Sequence, residues 1–328
     1  MNIVAFSSRP YEKIHLEAAN NGKHSFSFYE EQLLMATVWK AKNAEAISIF
    51  VNDDCSATVL DKLKEAGVKY ISIRAAGHDQ VDLEHAKKLN IATANVPEYS
   101  PHAIAEYAVT LMLALNRKIV QADKKVKAYN FILDDLIGFD LNGKKVGIIG
   151  CGKIGSIVAK IMYGFGCRIL IHDIYINDEL VRRYGAEYCS LENLATEADI
   201  ISIHAPLNLY TKHLINKSLI EKMKPGVMII NTGRGAIIDT EAVMEGLKSQ
   251  KIGYVGLDVY EFEKSLFFND HSNNIPTDDL FARLLSFKNV LVTGHQAFLT
   301  ENALKNIADT TIYNLDCWAT NERPKTEL

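Results

Sequence analysis

Three charged residues stand just beyond short apolar runs that read as buried strands: Arg234 after Val227–Asn231, Glu263 after residues 254–259, and His295 after residues 290–293. In an open α/β sheet, ligands bind outside the carboxyl ends of the strands, so the three are expected on one cleft. Their chemistry is complementary. A guanidinium can hold a small anion bidentately, an imidazole can move a proton near neutral pH, and a carboxylate can orient that imidazole. Arg234 lies in Thr232-Gly233-Arg234-Gly235, where flanking glycines let the backbone bend. Taken singly, each residue also has an ordinary structural use. Arg234 could be a loop arginine on a surface carboxylate, His295 a satisfied core histidine, and Glu263 a solvated acid beside Glu261 and Lys264.

A second constellation lies upstream. The apolar run Val146-Gly147-Ile148-Ile149 leads into Gly150-Cys151-Gly152-Lys153-Ile154-Gly155, a helical stretch comes next at residues 156–165, and the run Arg168–His172 ends in Asp173. Strand, glycines, helix, strand and acid come in the order that a dinucleotide site requires. Gly150 permits the tight turn, Gly152 lets backbone N–H groups approach a pyrophosphate at the helix N-terminus, and Gly155 lets the helix pack closely. Asp173 falls where a carboxylate accepts from the ribose hydroxyls and repels a 2′-phosphate, so NAD is the expected cofactor.

The elements that carry these groups alternate. In the first hundred residues, strands are expected at residues 3–6, 25–29, 46–51, 70–73 and 91–94, and helices at 11–20, 32–42, 57–66 and 83–89. Prolines at 97 and 101 break the pattern, and one long helix is expected from His102 to about Ala128, with a connecting loop after it at 133–143. After Asp173 come strands at 199–203, 227–231, 254–259 and 290–293, with helices near 217–223 and 240–248. The fold class is therefore α/β in two domains: a doubly wound sheet, and a smaller domain to which a last helix at 300–320 returns.

The totals exclude several function classes. The chain has 328 residues and a net charge of −4, with Lys and Arg scattered along it. That gives no electrostatic case for nucleic acid or an anionic membrane surface, so a small anion would have to be bound locally. Five cysteines without CxxC or metal-ligand spacing point to a reduced, cytoplasmic setting and no metal. The N-terminus lacks a basic n-region, and the most apolar run, residues 103–115, is interrupted by Glu106 and too short to span a membrane.

The fingerprint with Asp173, together with His204-Ala205-Pro206, Asn231-Thr232-Gly233-Arg234-Gly235, Gly256-Leu257-Asp258-Val259-Tyr260-Glu261 and Gly294-His295-Gln296-Ala297-Phe298, resembles the D-isomer-specific 2-hydroxyacid dehydrogenase family. Ile49-Phe50-Val51-Asn52-Asp53-Asp54 and Asn95-Val96-Pro97-Glu98-Tyr99-Ser100-Pro101 resemble its fermentative D-lactate dehydrogenase branch. The resemblance implies a Rossmann NAD-binding domain, residues 101–296, inserted in a smaller flavodoxin-like substrate domain, residues 1–100 plus 297–328. It implies that Arg234 holds a 2-oxo acid, that His295 donates the proton while NADH delivers hydride, and that Glu263 fixes the imidazole.

By the same resemblance, backbone N–H groups at Ala76 and Gly77 meet the substrate carboxylate, and Tyr99 and Phe298 enclose a short side chain. Gly150, Gly152, Lys153, Ile154, Gly155, Asp173, Ala205, Pro206, Thr211, Thr232, Gly233 and Asp258 line the cofactor. Lys153 replaces the Arg or His common at its position and keeps a charge for the pyrophosphate. The helix from His102 corresponds to a subunit-pairing element, so a homo-oligomer is expected. The implied reaction is reduction of pyruvate to D-lactate. A bulkier 2-oxo acid, or a non-enzymatic NAD-sensing binding protein, remains an alternative reading of the same residues.

Overall fold

The computed structural model describes residues 1–275 and 277–328. The chain divides into two compact units, Met1–Ser100 with Leu299–Leu328, and Pro101–Phe298.

The first unit is built on five parallel strands: β1 (Asn2–Ala5), β2 (Ser25–Phe28), β3 (Ala46–Ile49), β4 (Tyr70–Ile73) and β5 (Ala92–Ala94), in the order β2-β1-β3-β4-β5. Alternate residues of each strand serve opposite faces. Ile47 and Ile71 pack with Val59, Leu60 and Leu63 of the helix Ala57–Glu65. Ala46 and Tyr70 face the other way, toward Ile312, Leu315 and Trp318 of the helix Glu301–Ala319. Trp318 stacks on Tyr70 with ring centroids 4.9 Å apart. The chain's last helix thus completes the core of the first sheet.

Under that sheet's carboxyl edge lies a buried ion pair. Arg74 donates from Nε to Glu12 at 3.2 Å, from Nη1 to Ser48 Oγ at 3.0 Å and from Nη2 to the Phe6 carbonyl at 2.7 Å. Removing one partner of such a pair strands the other charge, so Glu12→Ala is expected to cost about 3–5 kcal/mol. A urea midpoint for the first unit equal to that of the unaltered protein would show that the neutral acceptors suffice.

The second unit carries seven parallel strands: β6 (Lys145–Ile149), β7 (Arg168–His172), β8 (Glu187–Tyr188), β9 (Ile200–Ile203), β10 (Val227–Asn231), β11 (Ile252–Leu257) and β12 (Val290–Val292). Their order is β12-β11-β10-β9-β6-β7-β8, so the winding reverses between β6 and β9. That switch point is where such sheets open a crevice for a ligand. Both faces are covered. Met228 and Ile230 pack with Ala105, Ala108 and Met112 of the helix Pro101–Asn116, while Val227 and Ile229 face Val243 and Leu247 of the helix Thr240–Lys248.

Two expectations are corrected. Residues 32–42 do not form a helix; only a single 3-10 turn, Val38–Ala41, is helical. Thr37 Oγ1 donates to the Gln32 carbonyl, an acceptor that a helix would give to Ala36, and accepts from the Leu34 N–H, so a local side chain competes with the helix. The long helix from His102 is two, Pro101–Asn116 and Ile119–Lys127, broken at Lys118 with a left-handed φ of 49°. The loop beyond the second helix packs against the break. Asn116 exchanges hydrogen bonds with Phe139 at 2.7 and 2.8 Å, and a Cβ on Gly138 would lie 2.5 Å from the Asn116 carbonyl oxygen.

No helix among the described residues is long and apolar enough to cross a membrane. None of the five cysteines is in a disulfide, and no His, Cys, Asp and Glu group among the described residues has metal-binding geometry.

Candidate active site

β10 ends at Asn231, a buried amide that shapes the loop beyond the strand. Its Oδ1 accepts from the Gly233 N–H at 3.0 Å and its Nδ2 donates to the Arg234 carbonyl at 2.9 Å, closing a tight loop around Arg234. The Asn231 carbonyl accepts from the Asp258 N–H at 2.9 Å, tying that loop to the segment beyond β11. Gly235 makes the contact closer still, because a Cβ there would lie 2.1 Å from the Tyr260 carbonyl carbon. Backbone cannot yield as a flexible side chain does. Gly235→Ala must therefore displace the Arg234 loop, and a loss of about 10²-fold in kcat/KM is expected; near-normal activity in steady-state assays would show that the loop tolerates the shift.

Asp258 organises the next piece. Its buried carboxylate accepts from Thr293 Oγ1 at 2.6 Å, the Gln296 N–H at 2.9 Å and the Ala297 N–H at 2.7 Å, and its carbonyl accepts from the His295 N–H at 2.7 Å. Burial pushes the Asp258 carboxyl above its ordinary range, and those hydrogen bonds oppose the push. Held this way, His295 adopts a left-handed φ of 54°, unusual for a non-glycine residue. The bond to Ala297 also explains why residues 297 and 298 cluster with the second unit.

His295 Nδ1 lies 2.7 Å from Glu263 Oε1, and the other oxygen of Glu263 accepts from the Tyr260 N–H at 2.8 Å. The two side chains are 17% and 15% exposed, so water competes weakly for the bond. An ionised carboxylate only accepts, which places the proton on Nδ1 and leaves Nε2 as the ring nitrogen that Glu263 does not engage. Arg234, Glu263 and His295 are thus linked through Asn231, Asp258 and Tyr260. His204 offers a contrast. Its Nε2 pairs with Ser202 Oγ at 2.8 Å, and desolvation pushes its imidazole down to about 4, so it is neutral near pH 7.

The residues expected to line a dinucleotide all belong to the same unit, and their local chemistry fits that ligand. Gly150 has φ +84° and its absent Cβ would lie 2.5 Å from the Ala205 N, so the turn after β6 is pressed against the segment after β9. Gly155 packs equally closely, with 2.2 Å to the Gly150 carbonyl oxygen. Above Gly152, by contrast, the space is open, and the helix Lys153–Gly164 begins at that residue without a side-chain cap. An anion there meets uncapped N–H groups and the positive end of a helix. Thr232 Oγ1 is buried without a hydrogen-bond partner, a polar atom that a ligand can satisfy. Thr211 Oγ1 donates to the Pro206 carbonyl at 2.6 Å and holds the loop after Ala205.

Asp173 stands at the end of β7, half-buried. Its carboxylate accepts from the Cys151 N–H of the glycine loop and, at 2.9 Å, from the Tyr175 N–H. A carboxylate has about four acceptor positions, so two remain for hydroxyl groups.

In the first unit, Asn95 Nδ2 donates to the Ala76 carbonyl at 2.8 Å, the Val96 N–H to the Ala75 carbonyl at 3.1 Å, and Asn306 Nδ2 to the Tyr99 carbonyl at 2.6 Å. The loop at Ala76 and Gly77 and the residue Tyr99 are each fixed by side-chain amides. Phe298 is buried in the second unit. Sequence reasoning assigned no role to Asn231, Thr293 or Gln296, all of which position the site. The available signal was an Asn at a strand end shortly before a glycine, a type that captures its own turn.

Residues 109–297 match the NAD binding domain of the D-isomer specific 2-hydroxyacid dehydrogenases. Over its whole length the chain is 45% identical to the D-lactate dehydrogenase of Escherichia coli strain K12, covering 100% of both. The solved structure of the pyruvate reductase of Chlamydomonas reinhardtii superposes with a TM-score of 0.93 at 40% identity, covering 99% of this chain and 98% of that one. D-2-hydroxyisocaproate dehydrogenase superposes with a TM-score of 0.85 at 32% identity, covering 100% and 99%. The cofactor is NAD, and the chain belongs to the D-isomer-specific 2-hydroxyacid dehydrogenase family.

Proposed function

We propose that the protein is an NAD-dependent D-lactate dehydrogenase that reduces pyruvate to D-lactate. The observation that carries this reading is the His295–Glu263 pair, 2.7 Å apart and bonded into the Arg234 loop, in a chain similar end to end to a D-lactate dehydrogenase. Gly150, Gly152, Lys153, Ile154, Gly155, Asp173, Ala205, Pro206, Thr211, Thr232, Gly233 and Asp258 are assigned to the cofactor. The reduced nicotinamide, when bound, supplies the hydride for the substrate carbonyl carbon. Arg234 binds the carboxylate and carbonyl oxygen of the 2-oxo acid, polarising the carbonyl and stabilising the negative charge that develops on it. His295 Nε2 donates the proton that turns this oxygen into the hydroxyl, and Glu263 holds the ring and compensates its positive charge. Ala76, Gly77, Tyr99 and Phe298 are assigned as substrate contacts on the motif match.

NADH oxidation measured across a series of 2-oxo acids tests the reading. The highest kcat/KM is expected with pyruvate, and NADH should be strongly preferred to NADPH because Asp173 repels a 2′-phosphate while Ile174 and Tyr175 offer it no cation. A bulkier acid outpacing pyruvate would favour the second reading, which the likeness to D-2-hydroxyisocaproate dehydrogenase motivates. Pocket discrimination of one methylene amounts to only ~1–3 kcal/mol. No turnover with any acid would favour an NAD-sensing protein.

A homo-oligomer is part of the proposal. Tyr129, Phe131, Ile132, Leu133 and Ile137 come after the helix Ile119–Lys127 and are between 62% and 86% exposed, an apolar strip that a second copy would cover. The double change Phe131→Glu with Leu133→Glu should lower the mass seen by light scattering; a monomeric unaltered protein at micromolar concentration would remove the interface. A cytoplasmic location belongs to the same proposal, since unpaired cysteines suit a reducing compartment.

A further inference from the structure

The amino ends of β10, β11 and β12 line a concavity at the sheet edge opposite the one that leads to Arg234, Asp258 and His295. It encloses about 690 Å³, a volume typical of small-molecule sites, which run to roughly 300–1,000 Å³. Its floor is backbone, for a Cβ on Gly253 would lie 2.5 Å from the Gly226 carbonyl oxygen. One wall comes from the turn and helix at Lys118–Lys124, and the other from the stretch that ends in Lys288. Lysines far apart in sequence therefore share one cleft, in a chain whose net charge is −4.

The charges in this cleft are not balanced. Lys118 Nζ donates to the Ile137 carbonyl at 2.7 Å and keeps further N–H donors. Among the described residues, Lys124 and Lys288 make no side-chain hydrogen bond or close ion pair. The carboxylate on the wall, Asp135, is taken by Lys125, whose hydrogen bond is the main cause that holds its carboxyl below the ordinary range; Lys288 adds a smaller pull. The amides are also committed: Gln121 Nε2 donates to the Lys288 carbonyl and Asn289 Nδ2 to the Gly253 carbonyl at 2.8 Å. What the cleft has left to offer a ligand is ammonium charge, beside the apolar faces of Val120 and Tyr254.

We propose that this cleft binds a small polyanion, a molecule carrying two or more carboxylate or phosphate groups, independently of NAD. A monovalent anion gains little from one exposed ammonium. Several ammoniums around one concavity act on a multivalent anion together, and their flexible stems let them close on it as point charges.

Citrate and inorganic pyrophosphate, with acetate as the monovalent control, can be titrated calorimetrically into the full chain saturated with NADH at fixed ionic strength. Saturable heat is expected with at least one polyanion and none with acetate; which of the two binds identifies the chemistry as carboxylate, phosphate or both. The double change Lys124→Glu with Lys288→Glu, on exposed side chains, should weaken that binding by about tenfold or more while leaving NADH affinity intact. Equal binding by the unaltered and doubly changed proteins, or loss of the heat once NADH is present, overturns the proposal. It is also overturned if no polyanion binds and the double change instead abolishes self-association in sedimentation, since the cleft would then be a contact between copies.

Discussion

Replacing Arg234 by lysine is expected to lower kcat/KM for pyruvate by about 10²-fold or more. Charge is conserved in this change; geometry is not. The guanidinium presents parallel N–H donors to a carboxylate and to the carbonyl oxygen beside it, whereas an ammonium on a flexible stem cannot hold both at once. The loop around residue 234 should survive the substitution, because its fixing bonds run from Asn231 to the backbone of residues 233 and 234. Nη1 of Arg234 does donate to the Gly233 carbonyl at 3.0 Å, and that bond is lost. NADH affinity, measured by fluorescence titration, should therefore change little. Unimpaired pyruvate reduction by the lysine variant would reduce Arg234 to a structural residue.

The expected split between substrate and cofactor effects depends on how the second unit is wired, and here sequence and structure differ in what they disclose. Parallel strands buried on both faces are continuous apolar runs, so β6, β7, β9 and β10 were legible, and so was the edge at which Arg234 and His295 would stand. The glycines of the fingerprint declared the close backbone approach seen at Gly150 and Gly155. The break at Lys118 was not legible, since residues 101–128 keep helical composition throughout. What accompanies it lies elsewhere in the chain, in Gly138 and Phe139, which pack against and hydrogen-bond to Asn116 at the end of the first helix. The failed helix at residues 32–42 has a local cause instead: Thr37 Oγ1 takes the Gln32 carbonyl at 2.6 Å, an acceptor the helix would need. Local periodicity reports propensity, and packing or competition for a backbone group overrides it. Asn231 and Asp258 were seen as motif members, yet their work is to receive and give backbone hydrogen bonds across strands, which spacing alone does not reveal.

That wiring makes His295→Asn the sharpest test of the mechanism. Asparagine tolerates the left-handed conformation that residue 295 adopts, φ 54°, so the backbone bond to Asp258 should persist and only the imidazole is lost. Removing a positioned acid of this kind lowers kcat by about 10²–10⁴-fold. Pyruvate reduction and D-lactate oxidation should fall alike, since one group gives the proton and takes it back. Glu263→Gln is predicted to cost less, through the ring alone. Both the Tyr260 N–H and the His295 Nδ1–H need an acceptor from this side chain, and an amide has one oxygen where the carboxylate has two. Either a buried donor is left unsatisfied or the imidazole changes tautomer, and the imidazolium loses its counter-charge. If Glu263 acts only through His295, the double variant His295→Asn with Glu263→Gln should be no slower than His295→Asn by itself. Measured kcat values whose losses multiply would show that Glu263 touches the reaction by another route, and a His295→Asn variant with normal turnover would remove the proton donor from the mechanism.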